Sequence, residues 1–200
     1  ESWQGDDLVF GNSSYLKPFA YYTFNADRNE VHRTALALTS PVDFDDLEVV
    51  REFATSRDGT KVPLNIMRKK GVKLNGQNPT VLYGYGGYGI SLSPGFDSTR
   101  RIWFDAGGIY VVANLRGGGE YGEDWHKEGN LTKKQNVFDD FIACAEHLIN
   151  RHYCNPSKLS IGGGSKGGLW MGTIMTPRPD PGGGVVPRGG VGLFLGRHPN

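Results

Sequence analysis

The chain has 200 residues, 38% of them hydrophobic and 12% aromatic, enough to bury one sizeable core or one core and part of a second. Its 22 basic and 21 acidic side chains nearly cancel, and no basic run is longer than Arg68-Lys69-Lys70, which argues against nucleic acid or a membrane surface as a partner. No stretch approaches the ~18 consecutive apolar residues of a membrane span, the opening ESWQGDD resembles no signal peptide, and Cys144 and Cys154 form no C-x-x-C, which speaks against a disulfide framework or zinc site and fits a reducing cytosol.

From Leu8 to Leu38 the runs LVFG, FAYYTF and VHRTALAL predict antiparallel strands of one small sheet, with Asn25–Asn29 as the turn between the second and third. Ser40-Pro41 and the acidic stretch Asp43–Glu48 follow, and a linker near residues 39–47 is expected. EVVREFATS and KVPLNIMRK, joined by a turn at Asp58-Gly59-Thr60, predict a second hairpin. From Thr80 onward strand-like runs (TVLYGY, GIYVVANL, KLSI) alternate with helical patterns, one around Ser98–Asp105 and one around Val137–Arg151. In the latter Phe138, Phe141, Ile142, Ala145, Leu148 and Ile149 recur at helical spacing, with Asp139 and Asp140 read as first-turn acids. Strand, helix, strand, helix, strand predicts a parallel sheet in an α/β fold.

Chemistry in such a sheet gathers at the carboxyl ends of the strands. Glycine-rich segments follow all three runs: GYGGYG (Gly84–Gly89), RGGGEYG (Arg116–Gly122) and GGGSKGG (Gly162–Gly168). In the third, Gly163-x-Ser165-x-Gly167 is the G-x-S-x-G pattern, whose serine occupies a strained turn from strand to helix; neighbouring side chains would collide, hence glycine. The run Gly168–Met175 can form the helix, and the Lys166 backbone N–H would then lie at its positive end, where an oxyanion develops. The same turn also satisfies G-x-G-x-x-G through Gly162, Gly164 and Gly167, a dinucleotide-binding pattern. That reading needs an acidic strand end about 20 residues on, where the chain has PRPDPGGGVVPRGG with Asp180 between prolines. A Walker A loop fails because Gly167 follows Lys166.

TSRDGTKVPL, PTVLYGYGGYGIS, VVANLRGGGEYGEDWHKEGN, KKQNVFDDF and GGSKGG, in this order, resemble the peptidase domain of the prolyl oligopeptidase family, from about residue 48 to Asp180. Residues 1–45 are similar to the end of the β-propeller that precedes that domain. The resemblance implies an α/β-hydrolase with a Ser, Asp, His triad that cleaves short peptides after proline, acting without cofactor or metal, as a cytoplasmic monomer when full-length, on proline-containing oligopeptides. By position it implies Ser165 as nucleophile, the Tyr85 hydroxyl and the Lys166 N–H as oxyanion donors, and Tyr88 as the aromatic beside the proline pocket.

Two departures stand out. Lys166 occupies the position where prolyl oligopeptidases have Asn, oligopeptidase B has Ala and acylaminoacyl peptidase has His, which puts a long cation beside the specificity pocket. The order Ser, then Asp, then His cannot be completed, because His32, His126, His147 and His152 precede Ser165 and His198 lacks a strand-end Asp before it. His147 and His152 are expected in solvent, and His126 as a structural loop residue. Residues 176–200 hold 7 glycines and 5 prolines, a composition expected to carry no strand. Together with the missing initial Met, this predicts a partial propeller end (1–45), the first part of an α/β-hydrolase domain (46–175) and an aberrant tail (176–200) in a truncated copy. The competing expectation is a non-catalytic fragment or defective gene product.

Overall fold

The computed structural model describes residues 7–164 and 185–188. Two sheets account for its strands. In the first, β1 (Asp7–Asn12), β2 (Ala20–Asn25) and β3 (Glu30–Ala37) form an antiparallel meander in the order β1-β2-β3. The β2–β3 turn closes where the Asn25 side chain accepts from the Arg28 N–H at 2.9 Å, and Asn29 adopts φ 52°, a conformation Asn tolerates. Phe10 stacks on Tyr22 across the pair, yet Leu8 and Leu36 stay 61% and 71% exposed, so the sheet buries little of its own apolar surface among the described residues.

The second sheet has six strands: β4 (Leu47–Thr55), β5 (Lys61–Lys69), β6 (Thr80–Gly84), β7 (Ile109–Ala113), β8 (Leu159–Gly164) and β9 (Val185–Arg188), in the order β4-β5-β7-β6-β8-β9. The predicted hairpin β4–β5 is present and continues antiparallel onto β7, while β7, β6, β8 and β9 run parallel. The tail therefore does contribute a strand, contrary to the expectation from its composition. Val185 and Val186 are β-branched, and Pro187 falls in the outermost described strand, where a missing N–H costs least.

Helices cover both faces. α1 (Arg100–Asp105) follows β6, the short α2 (Glu123–Lys127) follows the β7 loop, and α3 (Gln135–Asn150) returns to β8. On one face the α3 residues Val137, Phe141, Cys144 and Leu148, at helical spacing, pack on Leu64, Ile66, Leu82 and Val111. On the other, Phe104 of α1 packs with Met67, Val112, Phe44, Leu47 and Tyr15. The segment at 39–47 is thus no free linker: Phe44 is 1% exposed and its ring meets those of Phe96 and Phe104. Because Tyr15 joins the same core, the residues between β1 and β2 are packed against the α/β unit.

Other placements also differ from expectation. Asp139 and Asp140 both lie beyond the first turn of α3, and Asp140 is fully buried, answered by Arg116 rather than by the helix dipole. His147 is not in solvent: its Nε2 lies 2.6 Å from Glu52 Oε2, tying the last turns of α3 to β4. His152, in contrast, is exposed as expected. Both cysteines are buried and free.

Candidate active site

The parallel register sets the site. Gly84 of β6 pairs with Ala113 of β7, and Tyr83 of β6 pairs with Gly162 of β8, so three strand ends finish side by side with β6 in the middle. Tyr85 and Gly164 each lie two residues beyond the last β6–β8 pair, which brings the Tyr85 loop beside the chain that leads into Ser165. Ser165, Lys166 and Gly167, with the expected helix after them, lie outside the described residues. Gly163 is described: it is buried and paired with Pro187 in β9.

The first two glycine loops touch through their backbones. Gly86 has φ 56°, and a Cβ there would fall 2.7 Å from Val137 Cγ1 and 2.8 Å from the Arg116 carbonyl oxygen. Gly117 has φ 87°, and its Cβ would fall 2.7 Å from the Gly86 carbonyl oxygen. Both positions exclude a side chain by conformation and by space. The Gly89 N–H donates to the Gly117 carbonyl at 3.0 Å, and Lys134 Nζ donates to the Gly86 carbonyl at 2.8 Å. Tyr85 is half-buried in this loop, whereas Tyr88 is 68% exposed with φ 55°, a conformation that non-glycine residues seldom hold.

α2 supports the second loop from the other side. Trp125 Nε1 donates to the Leu115 carbonyl at 3.0 Å, and the Gly117 N–H donates to the Trp125 carbonyl at 2.9 Å. His126 Nδ1 donates to the Gly117 carbonyl at 2.9 Å, which leaves Nε2 to accept from Asn130 Nδ2 at 3.4 Å. His126 thus braces the glycine loop as a structural residue, but from α2 and not from a loop as expected.

Sequence reasoning missed the ion cluster beneath the loops. Arg116, with its side chain 3% exposed, grips fully buried Asp140 through Nε at 3.0 Å and Nη2 at 2.6 Å, and its own N–H donates to Asp140 Oδ2 at 3.1 Å. The far side of the guanidinium meets Asp58, in the β4–β5 turn, through Nη1 and through Nη2 at 3.2 Å. Its hydrogen bonds pull the Asp58 carboxyl down to about 2 despite partial burial. The available signal was an arginine opening RGGG and an Asp doublet inside a helical pattern, but nothing in the sequence pairs them.

A second cluster fixes the far end of α3. Tyr153 Oη donates to Glu52 Oε1 at 2.7 Å. Burial, reinforced by this bond to a carboxylate, pushes the Tyr153 hydroxyl up to about 12. Burial would raise Glu52 as well, but the bonds from Tyr153 and His147 and the charge of Arg151 outweigh it and hold that carboxyl below its usual range.

Among the described residues no group of His, Cys, Asp and Glu could hold a metal ion, and no helix is long and apolar enough to cross a membrane. Strand ends converging on glycine loops, on a mixed sheet with a parallel centre, define an α/β protein, with the candidate site at the carboxyl edge of the parallel strands. Residues 94–196 match the prolyl oligopeptidase family. Over 176 residues the chain is 43% identical to the prolyl endopeptidase of Elizabethkingia miricola, covering 87% of this chain and 24% of that protein. It is 41% identical over 184 residues to a dual function macrocyclase-peptidase of Galerina marginata, covering 90% and 25%. A prolyl endopeptidase structure from a study of two such enzymes superposes with a TM-score of 0.83 at 43% identity, covering 94% of this chain and 28% of that one. The closed form of oligopeptidase B from Trypanosoma brucei, with covalently bound antipain, gives 0.81 at 37% identity, covering 93% and 26%. The chain belongs to the prolyl oligopeptidase family of peptidases, and spans about a quarter of the length of these relatives.

Proposed function

We propose that this chain is the first part of the peptidase domain of a serine peptidase that hydrolyses short peptides on the carboxyl side of proline, preceded by the last strands of a β-propeller. The observation that carries this reading is the β6–β8 register, which sets the Tyr85 loop next to the strand end entering G-x-S-x-G. The strand order β4-β5-β7-β6-β8-β9 fits the opening strands of an α/β-hydrolase whose remaining strands lie outside these 200 residues. Family membership favours the nucleophile reading of the Gly162–Gly168 turn over the dinucleotide one.

In the proposed reaction the Ser165 oxygen attacks the carbonyl carbon of the proline residue while a general base takes its proton. The oxyanion that forms accepts from the Tyr85 hydroxyl and the Lys166 N–H. Collapse expels the amine, which collects the proton, and water releases the acylated serine by the same steps. Gly163 and Gly167 leave room for the turn, and Tyr88 lies against the proline ring. The base and its acidic partner come from beyond the 200 residues, so the segment alone is non-catalytic. Buried, free Cys144 and Cys154 fit a reducing compartment, and we place the enzyme in the cytoplasm as a monomer without cofactor.

Covalent labelling tests the nucleophile. In a polypeptide extended to the relatives' length, a fluorophosphonate should add one phosphonyl group, found on the peptide holding Ser165 and absent from Ser165→Ala. Label on any other residue, or label that survives in the alanine variant, contradicts the assignment.

A further inference from the structure

We infer that Arg116, clamped between Asp140 and Asp58, is a positioning residue for the oxyanion loop, holding Tyr85 in register with the nucleophile strand; this rests on the reading of Tyr85 just proposed. The guanidinium joins three elements that are far apart in sequence: the β4–β5 turn through Asp58, α3 through Asp140, and the β7 loop through its own backbone. Ser56 adds a further acceptor at 3.3 Å. Arg116 and Asp140 are buried and satisfied, so the loop they share is fixed by fork geometry and not merely by charge.

That fixed backbone is the surface on which the Tyr85 loop rests. The Arg116 carbonyl lies where a Cβ on Gly86 would have to go, the Gly117 carbonyl accepts from Gly89, and the Gly86 carbonyl lies where a Cβ on Gly117 would go. Tyr85 precedes the first of these contacts by one residue. Lys134 closes the loop from the α3 side through the Gly86 carbonyl. A shift of the Arg116 backbone would therefore pass directly to Tyr85, whereas neither Asp58, Asp140 nor the guanidinium need touch a substrate.

Two variants separate positioning from folding. Arg116→Lys keeps the charge and loses the fork; Arg116→Met combined with Asp140→Leu removes the buried pair together and avoids stranding a carboxylate, a replacement that folded proteins often accept. Hydrogen exchange of the full chain should show the Gly89 and Ile90 amides exchanging at least about tenfold faster in both, with the amides of β5 and β7 unchanged. Unchanged exchange at Gly89 in a folded variant overturns the inference, as does acceleration spread evenly over the sheet.

Kinetics on the extended polypeptide supply the link to catalysis. Arg116→Lys should lower kcat on the order of tenfold or more with KM within about twofold, and its effect should largely vanish when Tyr85 is already Phe, since groups acting through one another are non-additive. Additive losses would show that Arg116 does not act through Tyr85 and overturn the inference. Loosened Gly89 with kcat unchanged in both Arg116→Lys and Tyr85→Phe would keep the clamp and instead remove Tyr85 from the oxyanion site.

Discussion

In the proposed reaction a single hydroxyl, that of Tyr85, carries charge that exists only in the transition state. Tyr85→Phe in the extended polypeptide should therefore lower kcat by about 10²–10³ with KM little changed, the usual effect of losing one oxyanion donor. A kcat within twofold of the parent would remove it from the mechanism. Gly117 makes a purely structural prediction. With φ 87° and the Gly86 carbonyl 2.7 Å from the site of a Cβ, Gly117→Ala forces both strain and a backbone clash, and should destabilise by at least about 1–3 kcal/mol in urea denaturation. At this scale the sequence was legible where a residue type has one use: glycines that admit backbone contact, an Asn that bends a turn. Arg116 with Asp140 was not, because 24 positions separate them and only the crossover through α3 brings them together.

Between elements, ionisable groups act as ties with a defined pH range. Asp58 is held near 2 against an ordinary 3.8, so its bond to Arg116 stabilises fully above about pH 4 and is lost as the pH falls towards 2. Its side chain is 46% exposed, so solvent limits the effect to below about 1 kcal/mol; Asp58→Asn should flatten the acid limb of the urea midpoint by no more than that. Tyr153 works at the other end. Raised to about 12 from 10, its hydroxyl stabilises fully below about pH 10, a contribution lost as the pH rises towards 12. Tyr153→Phe should therefore lose stability at neutral pH and show less further decline between pH 10 and 12; an unaltered alkaline limb would contradict the Glu52 contact. Strand and helix spans were readable because alternation and helical spacing report burial directly: β4, β5 and α3 fall within two residues of the runs that predicted them. The supposed linker misled because Phe44 and Leu47 are isolated apolar residues among acids, and isolated residues show no period. β9 misled in the opposite sense, as four residues are enough for a strand even where glycine and proline surround them in sequence.

At the scale of the whole molecule, the described residues leave apolar surface open in two places. A cavity of about 310 Å³ opens on the α1 side of the sheet, its apolar wall formed by Val81, Tyr83, Trp103 and Tyr110 and its polar rim by Asp97, Thr99 and Arg100, and Leu8 and Leu36 of the β1–β3 sheet and Leu38 just after it are exposed. Apolar surface of this extent favours association, so the 200 residues expressed alone should bind a dye that reports exposed hydrophobic surface, more strongly than the extended polypeptide does. Equal dye binding by the two would show that the longer chain does not cover these faces. On the proposed reading, in which the base of Ser165 comes from outside these 200 residues, the segment alone would keep only the small residual of an oxyanion hole, a loss of about 10⁶ in kcat.

The most direct measurement is cleavage of a fluorogenic Gly-Pro peptide by three proteins side by side: residues 1–200, the polypeptide extended to the relatives' length, and its Ser165→Ala variant. Cleavage after proline by the extended polypeptide alone, falling by about 10⁶ in the alanine variant, is the expected result. Proline-specific cleavage by residues 1–200 that disappears with Ser165→Ala would contradict the account, because the base would then have to be one of the five histidines already present in this chain.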